Sequence, residues 1–321
     1  MALSNVANGK ALEWAVASRL AISLGGSEVI GADLIVDSKA STYAKECFDS
    51  LDEDNQIDWL NAASSGVQHI VQREKKHSSI VSPICIEIAS DSAGISGDVR
   101  DVIVKGPKNS TLGISCKNNH DAFKHPRLSG SIDFVADWKL SESGCSQQYW
   151  NQVNPIFERL AAIRKSSDNK MKFSDLDDLR TEVMIPIMDA FVSEMMRVAS
   201  NGDAAELILC KALTSYVIGN QDFYKLIRDK ADKQVRVMAF NFNGTLHGRR
   251  PKSAAQLLGI NYQKVSDASG NSVTVVVQLD QGYAFKMRLH TASSRVEPSL
   301  KFDIQAVGLP PRDVYQHFID L

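Results

Sequence analysis

Residues 97–129 read GDVRDVIVKGPKNSTLGISCKNNHDAFKHPRLS, and this stretch decides the fold. Val99–Lys105 is rich in valine and isoleucine, residues 106–110 have the composition of a turn, and Leu112–Cys116 resumes an apolar run. This order predicts two antiparallel strands joined by a tight turn. We therefore expect a β-hairpin over 97–117 as part of an α/β fold.

The hairpin would gather polar side chains at one end of a sheet. Asp101 and Ser115 lie 14 positions apart, a separation that a hairpin folds back into proximity. Asp98 and Lys117 lie beside them in the sequence. A carboxylate there can hold a divalent cation, and a lysine can orient the water that attacks a phosphodiester. On spacing alone, the pattern also fits a solvated hairpin without chemistry.

Three strings within this stretch, GDVRDV, LGISCKNNH and KHPRLS, carry a resemblance to a known family. They resemble the HaeIII family of type II restriction endonucleases, which belongs to the PD-(D/E)xK nuclease superfamily. A weaker match lies at the N-terminus, and a clearer one lies near the C-terminus in FKMRLHTASSRVEPSLKFDIQ. The resemblance implies a mixed sheet core flanked by helices, and Mg²⁺-dependent, site-specific hydrolysis of double-stranded DNA. It also implies 5′-phosphate and 3′-hydroxyl ends, with GGCC as the first target to test.

One position departs from the superfamily pattern, which has an acidic residue two places before the catalytic lysine. Ser115 stands at that place here, and a hydroxyl is a poor substitute for a carboxylate on Mg²⁺. The resemblance implies that Asp101 and Lys117 are catalytic, with Ser115 beside them. A second carboxylate is then expected to join Asp101 at the metal, helped by the backbone carbonyl of Cys116.

Three carboxylates are candidates for this second ligand. Glu13 would come from an amphipathic helix predicted over 8–24, in which Asn8 is the expected N-cap. Asp98 would need an irregular or bulged strand, because strand residues three apart point to opposite faces. Glu87 lies in a further predicted strand. We rank Asp98 and Glu13 level, with Glu87 behind them.

The composition is that of an ordinary globular protein. The 321 residues suffice for one large domain or two modest ones, and 44% hydrophobic and 23% charged residues match globular averages. No apolar run approaches the roughly 18 residues of a membrane span, and the N-terminus lacks a signal-peptide core. The five cysteines are scattered without CxxC spacing. We therefore expect a cytoplasmic protein with free thiols and no zinc site.

Charge is segregated along the chain, although the net charge is only −2. Residues 1–99 contain 7 basic and 14 acidic side chains, whereas residues 223–301 contain 13 basic and 5 acidic side chains. Such asymmetry suits a protein in which one face meets phosphates while the remainder stays soluble. No GxxxxGK[ST], GxGxxG or GxSxG motif supports an ATP-driven, dinucleotide-dependent or serine-hydrolase reaction.

The residue pattern divides the chain into three consecutive segments. Residues 1–130 contain the hairpin and are predicted to form the nuclease core. Residues 131–234 show apolar positions every three or four residues, which predicts helices, one of them over 203–228. From residue 235 the apolar period changes to two, which is typical of strands. Residues 235–321 are therefore predicted to form a β-rich, basic DNA-recognition region.

Basic and amide side chains cluster where DNA contacts are expected. The residues that follow the catalytic strand suit phosphate and sugar contacts, and they are Asn119, His120, Lys124, His125 and Arg127. A later loop too basic to be buried suits phosphate contacts through Arg249, Arg250 and Lys252. Side chains that suit guanine O6 and N7 are Arg288, Arg295 and Lys301, with His290 on the same strand face as Arg288.

The resemblance also implies partners. They are double-stranded DNA as the substrate and a cognate DNA methyltransferase as a functional counterpart, and a palindromic target favours a two-fold homodimer. Two other functions remain open. A repair or recombination nuclease would read DNA structure, which a panel of linear, branched and mismatched DNAs would reveal. An inactive DNA-binding protein, which Ser115 makes conceivable, would show no metal-dependent nicking.

Overall fold

The computed structural model describes residues 4–25, 33–75, 85–90, 98–119, 122–263 and 272–321. It is a mixed α/β protein with two sheets flanked by helices, as predicted. The helices of four or more residues are α1 (Asn5–Gly25), α2 (Lys39–Asp49), α3 (Glu53–Glu74), α4 (Phe134–Asp137), α5 (Gln147–Ser166), α6 (Ile185–Ala199, after a π-helical segment Leu179–Met184) and α7 (Asp203–Ile218). The strands are β1 (Cys85–Ile88), β2 (Val102–Lys105), β3 (Thr111–Asn118), β4 (Arg127–Ser129), β5 (Phe223–Asp229), β6 (Gln234–Phe240), β7 (Leu257–Gln263), β8 (Val273–Leu279), β9 (Ala284–Thr291), β10 (Ser299–Gly308) and β11 (Tyr315–Asp320).

The chain forms two compact units that interleave in sequence. Unit 1 comprises Met1–Asp121, Gly219–Lys252 and Pro311–Leu321. Unit 2 comprises Ala122–Ile218 and Ser253–Pro310. This division differs from the three consecutive segments 1–130, 131–234 and 235–321, because strands from the middle and the end of the chain complete the first sheet.

Unit 1 is built on a six-stranded mixed sheet with the order β1-β2-β3-β5-β6-β11. The β3–β5 pair is parallel and the other pairs are antiparallel. Helices α1 and α3 bury an apolar core that includes Leu12, Val67 and Ile114, all of them 0% exposed. Because side chains alternate along a strand, Ser115 and Lys117 lie on the face of β3 opposite Ile114.

Strands β2 and β3 form the predicted hairpin. Val102 pairs with Ile114, and the turn contains a short 3-10 segment, Pro107–Asn109, whose last residue has a φ of 61°. Asparagine is among the residues that best tolerate this left-handed conformation. Asp101 directly precedes β2, and its backbone N–H donates to the carbonyl of Ile114 at 2.9 Å. The hairpin thus begins its hydrogen bonding at Asp101.

Helix α1 begins earlier than predicted. The expected N-cap, Asn8, lies inside the helix, where its backbone N–H donates to the carbonyl of Ser4 at 2.9 Å. The side-chain oxygen of Ser4 accepts a hydrogen bond from the N–H of Ala7 at 3.2 Å. Serine and asparagine are both favoured N-cap residues, so the sequence offered two starting points and the structure uses the earlier one.

The helix predicted over 203–228 is wrong beyond Ile218. Helix α7 ends there, Gly219 has a φ of 112°, and Phe223–Asp229 form β5. A glycine with positive φ is a common helix terminator. All but the last residue of β5 are buried, including Lys225 and Arg228, so the strand lacks the alternation of apolar and polar residues that distinguishes a half-buried strand from a helix.

Unit 2 is built on a five-stranded antiparallel sheet with the order β4-β10-β9-β8-β7. Aromatic rings pack on one face of this sheet. The ring centroids of Phe134 (α4) and Phe191 (α6) are 4.7 Å apart, and those of Phe191 and Phe302 (β10) are 4.8 Å apart. The turn Asp280–Gly282 joins β8 and β9. The opposite face of this sheet carries polar side chains.

No helix in the described ranges is both long and apolar enough to cross a membrane. The five cysteines are free thiols, of which Cys47, Cys116 and Cys210 are buried.

Candidate active site

Asp101 is the centre of a hydrogen-bonded cluster at the open end of the hairpin. Its Oδ2 accepts a hydrogen bond from the backbone N–H of Cys116 at 2.7 Å, from Ser115 Oγ at 3.1 Å and from Lys117 Nζ at 3.3 Å. Three consecutive residues of β3 therefore hold one carboxylate oxygen. Asp101 is thereby oriented by the strand itself.

Ser115, two residues before Lys117, supports Asp101 through a hydrogen bond. The side chain is 2% exposed, and its hydroxyl donates to Asp101. A buried hydroxyl that has a hydrogen-bond partner is stable, so the serine fits the sheet without the charge of a second acid. At this position the Ser115 hydroxyl donates a hydrogen bond to the Asp101 carboxylate.

Lys117 is a cation in this setting. Burial alone would lower the pKa of its ammonium, but the charge of Asp101, the hydrogen bond to that residue and the charge of Glu13 together raise the pKa above its ordinary value. Its side chain is 21% exposed, and its Nζ lies 3.3 Å from Asp101 Oδ2. A lysine that keeps its proton donates hydrogen bonds and stabilises negative charge, and it does not act as a base.

Glu13 reaches the same cluster from α1. Its side chain is almost wholly buried, and Lys10 Nζ lies 3.1 Å from its Oε2. Burial, followed by the negative charge of Asp101, raises the pKa of Glu13 to about 8 against the lowering effects of Lys10 and Lys117. Its electrostatic interaction with both Asp101 and Lys117 places Glu13 at this site.

Asp98 is bound by a neighbouring arginine. Arg100 Nε donates to its Oδ1 at 2.8 Å, and Arg100 Nη2 donates to its Oδ2 at 2.7 Å. The aliphatic part of Arg100 lies against Gly113, where an added Cβ would come within 2.0 Å of Arg100 Cδ. Glycine at this position of β3 therefore lets the arginine fold over the strand. Both oxygens of Asp98 are engaged by one guanidinium, which favours Glu13 as the partner of Asp101.

Glu87 lies on β1, where its carboxylate accepts a hydrogen bond from Lys105 Nζ on β2. Both side chains are partly exposed, at 35% for Glu87 and 46% for Lys105. Exposed ion pairs of this kind contribute little to stability. This pair reads as a solvated cross-strand contact.

The donor set at Asp101 fits a hard divalent cation. Asp101 and Glu13 offer carboxylate oxygens, and the repulsion between them, which helps to raise the pKa of Glu13, would be relieved by a cation. Within the described part of the chain, no cluster of three or more His, Cys, Asp or Glu side chains could hold a metal. A cation here would rely on two carboxylates, backbone oxygen and water, as suits Mg²⁺, which keeps several waters.

A polar cavity of about 470 Å³ adjoins the end of β3 in unit 1. Asn119 lines it, and its Oδ1 accepts a hydrogen bond from the backbone N–H of Lys230 at 2.8 Å. Asn119 directly follows β3 and has a φ of 58°, in the left-handed region. Asn119 therefore lies next to the candidate active site in sequence and is fixed by β5 and its following turn.

Arg228 forms the buried wall of this cavity. It is 3% exposed, its guanidinium carbon lies 4.8 Å from the centroid of the Trp59 ring, and its Nη1 donates to Asn118 Oδ1 at 2.9 Å. It also forms an ion pair with Asp58. A buried arginine is stable only when it is paired in this way.

The predicted basic loop is exposed in unit 1. Arg249, Arg250 and Lys252 all have exposed side chains. Arg250 Nε donates to the carbonyl of Phe242 at 3.1 Å, which fixes the course of the loop. His120, the remaining candidate near the catalytic strand, lies outside the described residues.

Several predicted DNA-contact residues share the polar face of the sheet in unit 2. Arg127 of β4 pairs with Lys301 of β10, which in turn pairs with His290 of β9. Arg288 lies two residues before His290 on the same face of β9, opposite Asp303. His125 approaches this face as well, with its Nδ1 3.7 Å from Asp303 Oδ1.

Two other candidates lie elsewhere in unit 2. Lys124 pairs with Ile304, whose side chain is buried, and its Nζ lies 4.1 Å from the centroid of the Tyr216 ring. Burial lowers the pKa of Lys124, and the lysine lies on the face opposite Arg127. Arg295 lies in the loop after β9, where it is exposed and forms an isolated bridge with Lys172.

Four residues at these sites were not predicted from the sequence. Lys10 could have been found, since its spacing of three from Glu13 on a helix permits an ion pair. Arg100 engages Asp98, and Asp303 lies beneath Arg288. Arg228 lies in β5, within the range predicted as a helix. The contacts of Asp303 and Arg228 join residues far apart in the chain, whereas Arg100 contacts Asp98 two positions away in sequence.

Comparisons with known proteins identify the family of this chain. The family model of the HaeIII restriction endonuclease matches residues 9–310. The type II restriction enzyme HaeIII of Haemophilus aegyptius is 30% identical over 311 residues, which covers 94% of each chain. No solved structure matches. The chain therefore belongs to the HaeIII restriction endonuclease family, a family of type II site-specific deoxyribonucleases.

Proposed function

We propose that this protein is a Mg²⁺-dependent endonuclease that cleaves double-stranded DNA at GGCC and leaves 5′-phosphate and 3′-hydroxyl ends. The observation that carries the proposal is the contact of Lys117 Nζ with Asp101 Oδ2 at one end of the hairpin, together with the buried Glu13, which interacts electrostatically with both residues. Two carboxylates beside a protonated lysine suit metal-assisted hydrolysis of a phosphodiester. The family match, with a relative whose name is that of a type II restriction enzyme, supports the same reaction.

Asp101 and Glu13 would hold the metal, together with the backbone carbonyl of Cys116. A bound Mg²⁺ supplies Lewis-acid polarisation of the phosphate and a more acidic water. Ser115 and the N–H of Cys116 keep Asp101 in place through their hydrogen bonds. Asp98 is proposed here only as a positioning residue, since Arg100 engages both of its oxygens.

Lys117 would orient the attacking water and stabilise negative charge that develops at phosphorus. Its raised pKa keeps it protonated at neutral pH, so its ammonium can donate hydrogen bonds to water and to phosphate oxygen. The water oxygen forms a bond to phosphorus while the bond between phosphorus and the 3′-oxygen breaks; the water loses one proton to solvent, and the 3′-oxygen takes one from solvent. Electrostatic stabilisation fixed in advance by the protein is among the largest catalytic effects.

Digestion of a fully sequenced plasmid tests the proposal directly. With Mg²⁺, we expect discrete fragments whose mapped ends all lie within GGCC and whose 5′ ends carry phosphate. Fragments that end at another repeated sequence would correct the target alone. Cleavage only at branched or mismatched DNA would indicate a repair nuclease, and binding without nicking would indicate an inactive DNA-binding protein.

The exposed basic loop makes a separate prediction about affinity. Replacing Arg249 and Arg250 with alanine should weaken binding to all DNA sequences alike, since phosphate contacts carry no sequence information. The slope of log affinity against log salt should fall by about 1 for each lost contact. Titrations at several salt concentrations with specific and random duplexes measure both effects. A loss confined to the specific duplex would instead assign these arginines to base recognition.

We further propose a cytoplasmic homodimer that is paired in the cell with a methyltransferase of the same specificity. A palindromic target presents two equivalent half-sites, which a two-fold dimer contacts with identical surfaces. Sedimentation of the protein with and without a duplex containing GGCC would give the stoichiometry. A complex of one chain per duplex would contradict the dimer.

A further inference from the structure

The polar face of the sheet in unit 2 carries two neighbouring rows of side chains that differ in charge. The first row consists of Arg127, Lys301 and His290, which lie directly across from one another on β4, β10 and β9. Like charges placed opposite each other destabilise a sheet. Although Arg127 also contacts Glu297 at 3.3 Å, the row itself has no acidic member and suits a polyanion.

The second row has a carboxylate between two donors. Asp303 of β10 pairs with Arg288 of β9, and the register of β4 and β10, continued by two residues, places His125 on its other side. Arg288 Nη2 donates to Asp303 Oδ2 at 3.2 Å, and His125 Nδ1 lies 3.7 Å from Asp303 Oδ1. The Asp303 carboxylate therefore accepts a hydrogen bond from Arg288 on one side and lies near His125 on the other.

The exposure of these side chains shows which of them can meet a ligand. Arg288 and His125 are 41% and 45% exposed, whereas Asp303 is 15% exposed. Oδ1 of Asp303 is buried and accepts no hydrogen bond from the residues that the structure describes. Asp303 thus lies beneath the more exposed side chains of Arg288 and His125. Arg288 keeps N–H groups besides the one that donates to Asp303, and these are available to a ligand.

We propose that Arg288 reads a guanine in the recognition sequence and that Asp303 is the positioning residue that aims it, with His125 as a second donor. The inference rests on the proposed function, since it takes DNA as the ligand. Guanine presents O6 and N7 to a planar guanidinium, which can donate to both. A carboxylate directly beneath the arginine would repel a phosphate, so a base edge is the better ligand for this row.

Substitutions that keep the fold can test each residue's part. Arg288→Lys keeps the positive charge and the ion pair but removes the planar fork. Asp303→Asn keeps the size of the side chain and removes its charge. The parent, both variants and the double variant would be compared on the preferred duplex and on duplexes with one base pair replaced at a time. Affinity is measured in Ca²⁺ and cleavage in Mg²⁺, beside thermal melting of each variant.

We expect Arg288→Lys to reduce discrimination at one G·C position by about 5- to 150-fold, the size of a lost bidentate contact. Asp303→Asn should reduce discrimination at that same position, and the double variant should lose no more than the larger single effect, because the two act as a unit. Lys286→Gln, on the same face of the same strand, is the matched control and should leave that discrimination ratio unchanged. A structural role for Asp303 would lower melting temperature and activity without moving the ratio.

The Arg288→Lys variant tests whether Arg288 reads a base even if the Asp303→Asn variant does not fold. Unchanged discrimination at every position, or an equal loss of affinity for all duplexes, would overturn the assignment, the latter making Arg288 a phosphate contact. If the parent binds and cleaves one sequence while these variants discriminate as it does, this inference fails and the proposed function stands. If the parent neither cleaves DNA nor prefers any sequence, both fail together.

Discussion

Replacing Lys117 with alanine should reduce Mg²⁺-dependent cleavage by about 10²- to 10³-fold, the loss typical of removing one donor that stabilises negative charge in the transition state. Lys117 Nζ lies 3.3 Å from Asp101 Oδ2 and keeps its proton at neutral pH. The loss falls on the transition state, so specific DNA binding in Ca²⁺ should change little. Single-turnover cleavage beside equilibrium binding gives both values.

Lys105 offers a matched control for this substitution. It lies on β2 of the same hairpin, is 46% exposed and contacts Glu87 at the surface. Lys105→Ala should therefore cleave at the parent rate. Parent-like cleavage by Lys117→Ala would remove this lysine from the mechanism, and equal losses in both variants would indicate damage to the hairpin.

Replacing Glu13 with glutamine should have two opposite effects, a loss of cleavage by orders of magnitude and a gain in stability of the metal-free protein. The first follows from the loss of an anionic ligand, since Mg²⁺ prefers carboxylate oxygen. The second follows from burial, which leads the causes that raise the pKa of Glu13 to about 8 in the folded protein. A neutral amide avoids the cost of a buried charge.

The stability effect has a defined dependence on pH. The unfolded chain loses the Glu13 proton near the ordinary value of 4.5, whereas the folded, metal-free protein keeps it until about pH 8. Across this window the folded state binds more protons, so its stability falls as pH rises, by at most about 1.4 kcal/mol per pH unit for one proton. The advantage of Glu13→Gln should grow from pH 5 to pH 8.

Thermal melting in EDTA at several pH values measures this dependence, and Glu87→Gln is the control. Glu87 is partly exposed and paired with Lys105, so its substitution should leave both cleavage and the pH profile close to those of the parent. A Glu13→Gln variant that cleaves normally would exclude Glu13 as a ligand. A melting temperature below that of the parent at pH 8 would contradict the electrostatic account of its burial.

The hairpin could be predicted because its signals are local. Turn residues lie between two apolar runs, and folding back brings Asp101 close to Ser115 and Lys117. The strand β5 could not be predicted, since Phe223–Asp229 is buried on both faces and lacks alternation. Its assignment depends on the parallel pairing with β3, which is a contact between distant parts of the chain.

The second carboxylate of the site illustrates the same limit. From the sequence, Asp98 and Glu13 were equally plausible, because nothing local fixes where either side chain points. Arg100 engages Asp98 only because Gly113, on the neighbouring strand, leaves room for its aliphatic chain. Glu13 interacts electrostatically with Asp101 because α1 packs on the sheet. The position of Glu13 depends on packing between distant parts of the chain, whereas the Arg100–Asp98 contact depends on strand pairing within the hairpin.

Metal binding by the protein–DNA complex tests the central claim, that Asp101 and Glu13 together hold the cation. The Lys117→Ala variant, expected to bind DNA without cutting it, serves as the background, and bound Mn²⁺ is measured by electron paramagnetic resonance. The account predicts saturable binding that is abolished by Asp101→Asn, strongly weakened by Glu13→Gln and unaffected by Glu87→Gln. Equal Mn²⁺ binding in all four proteins would contradict it.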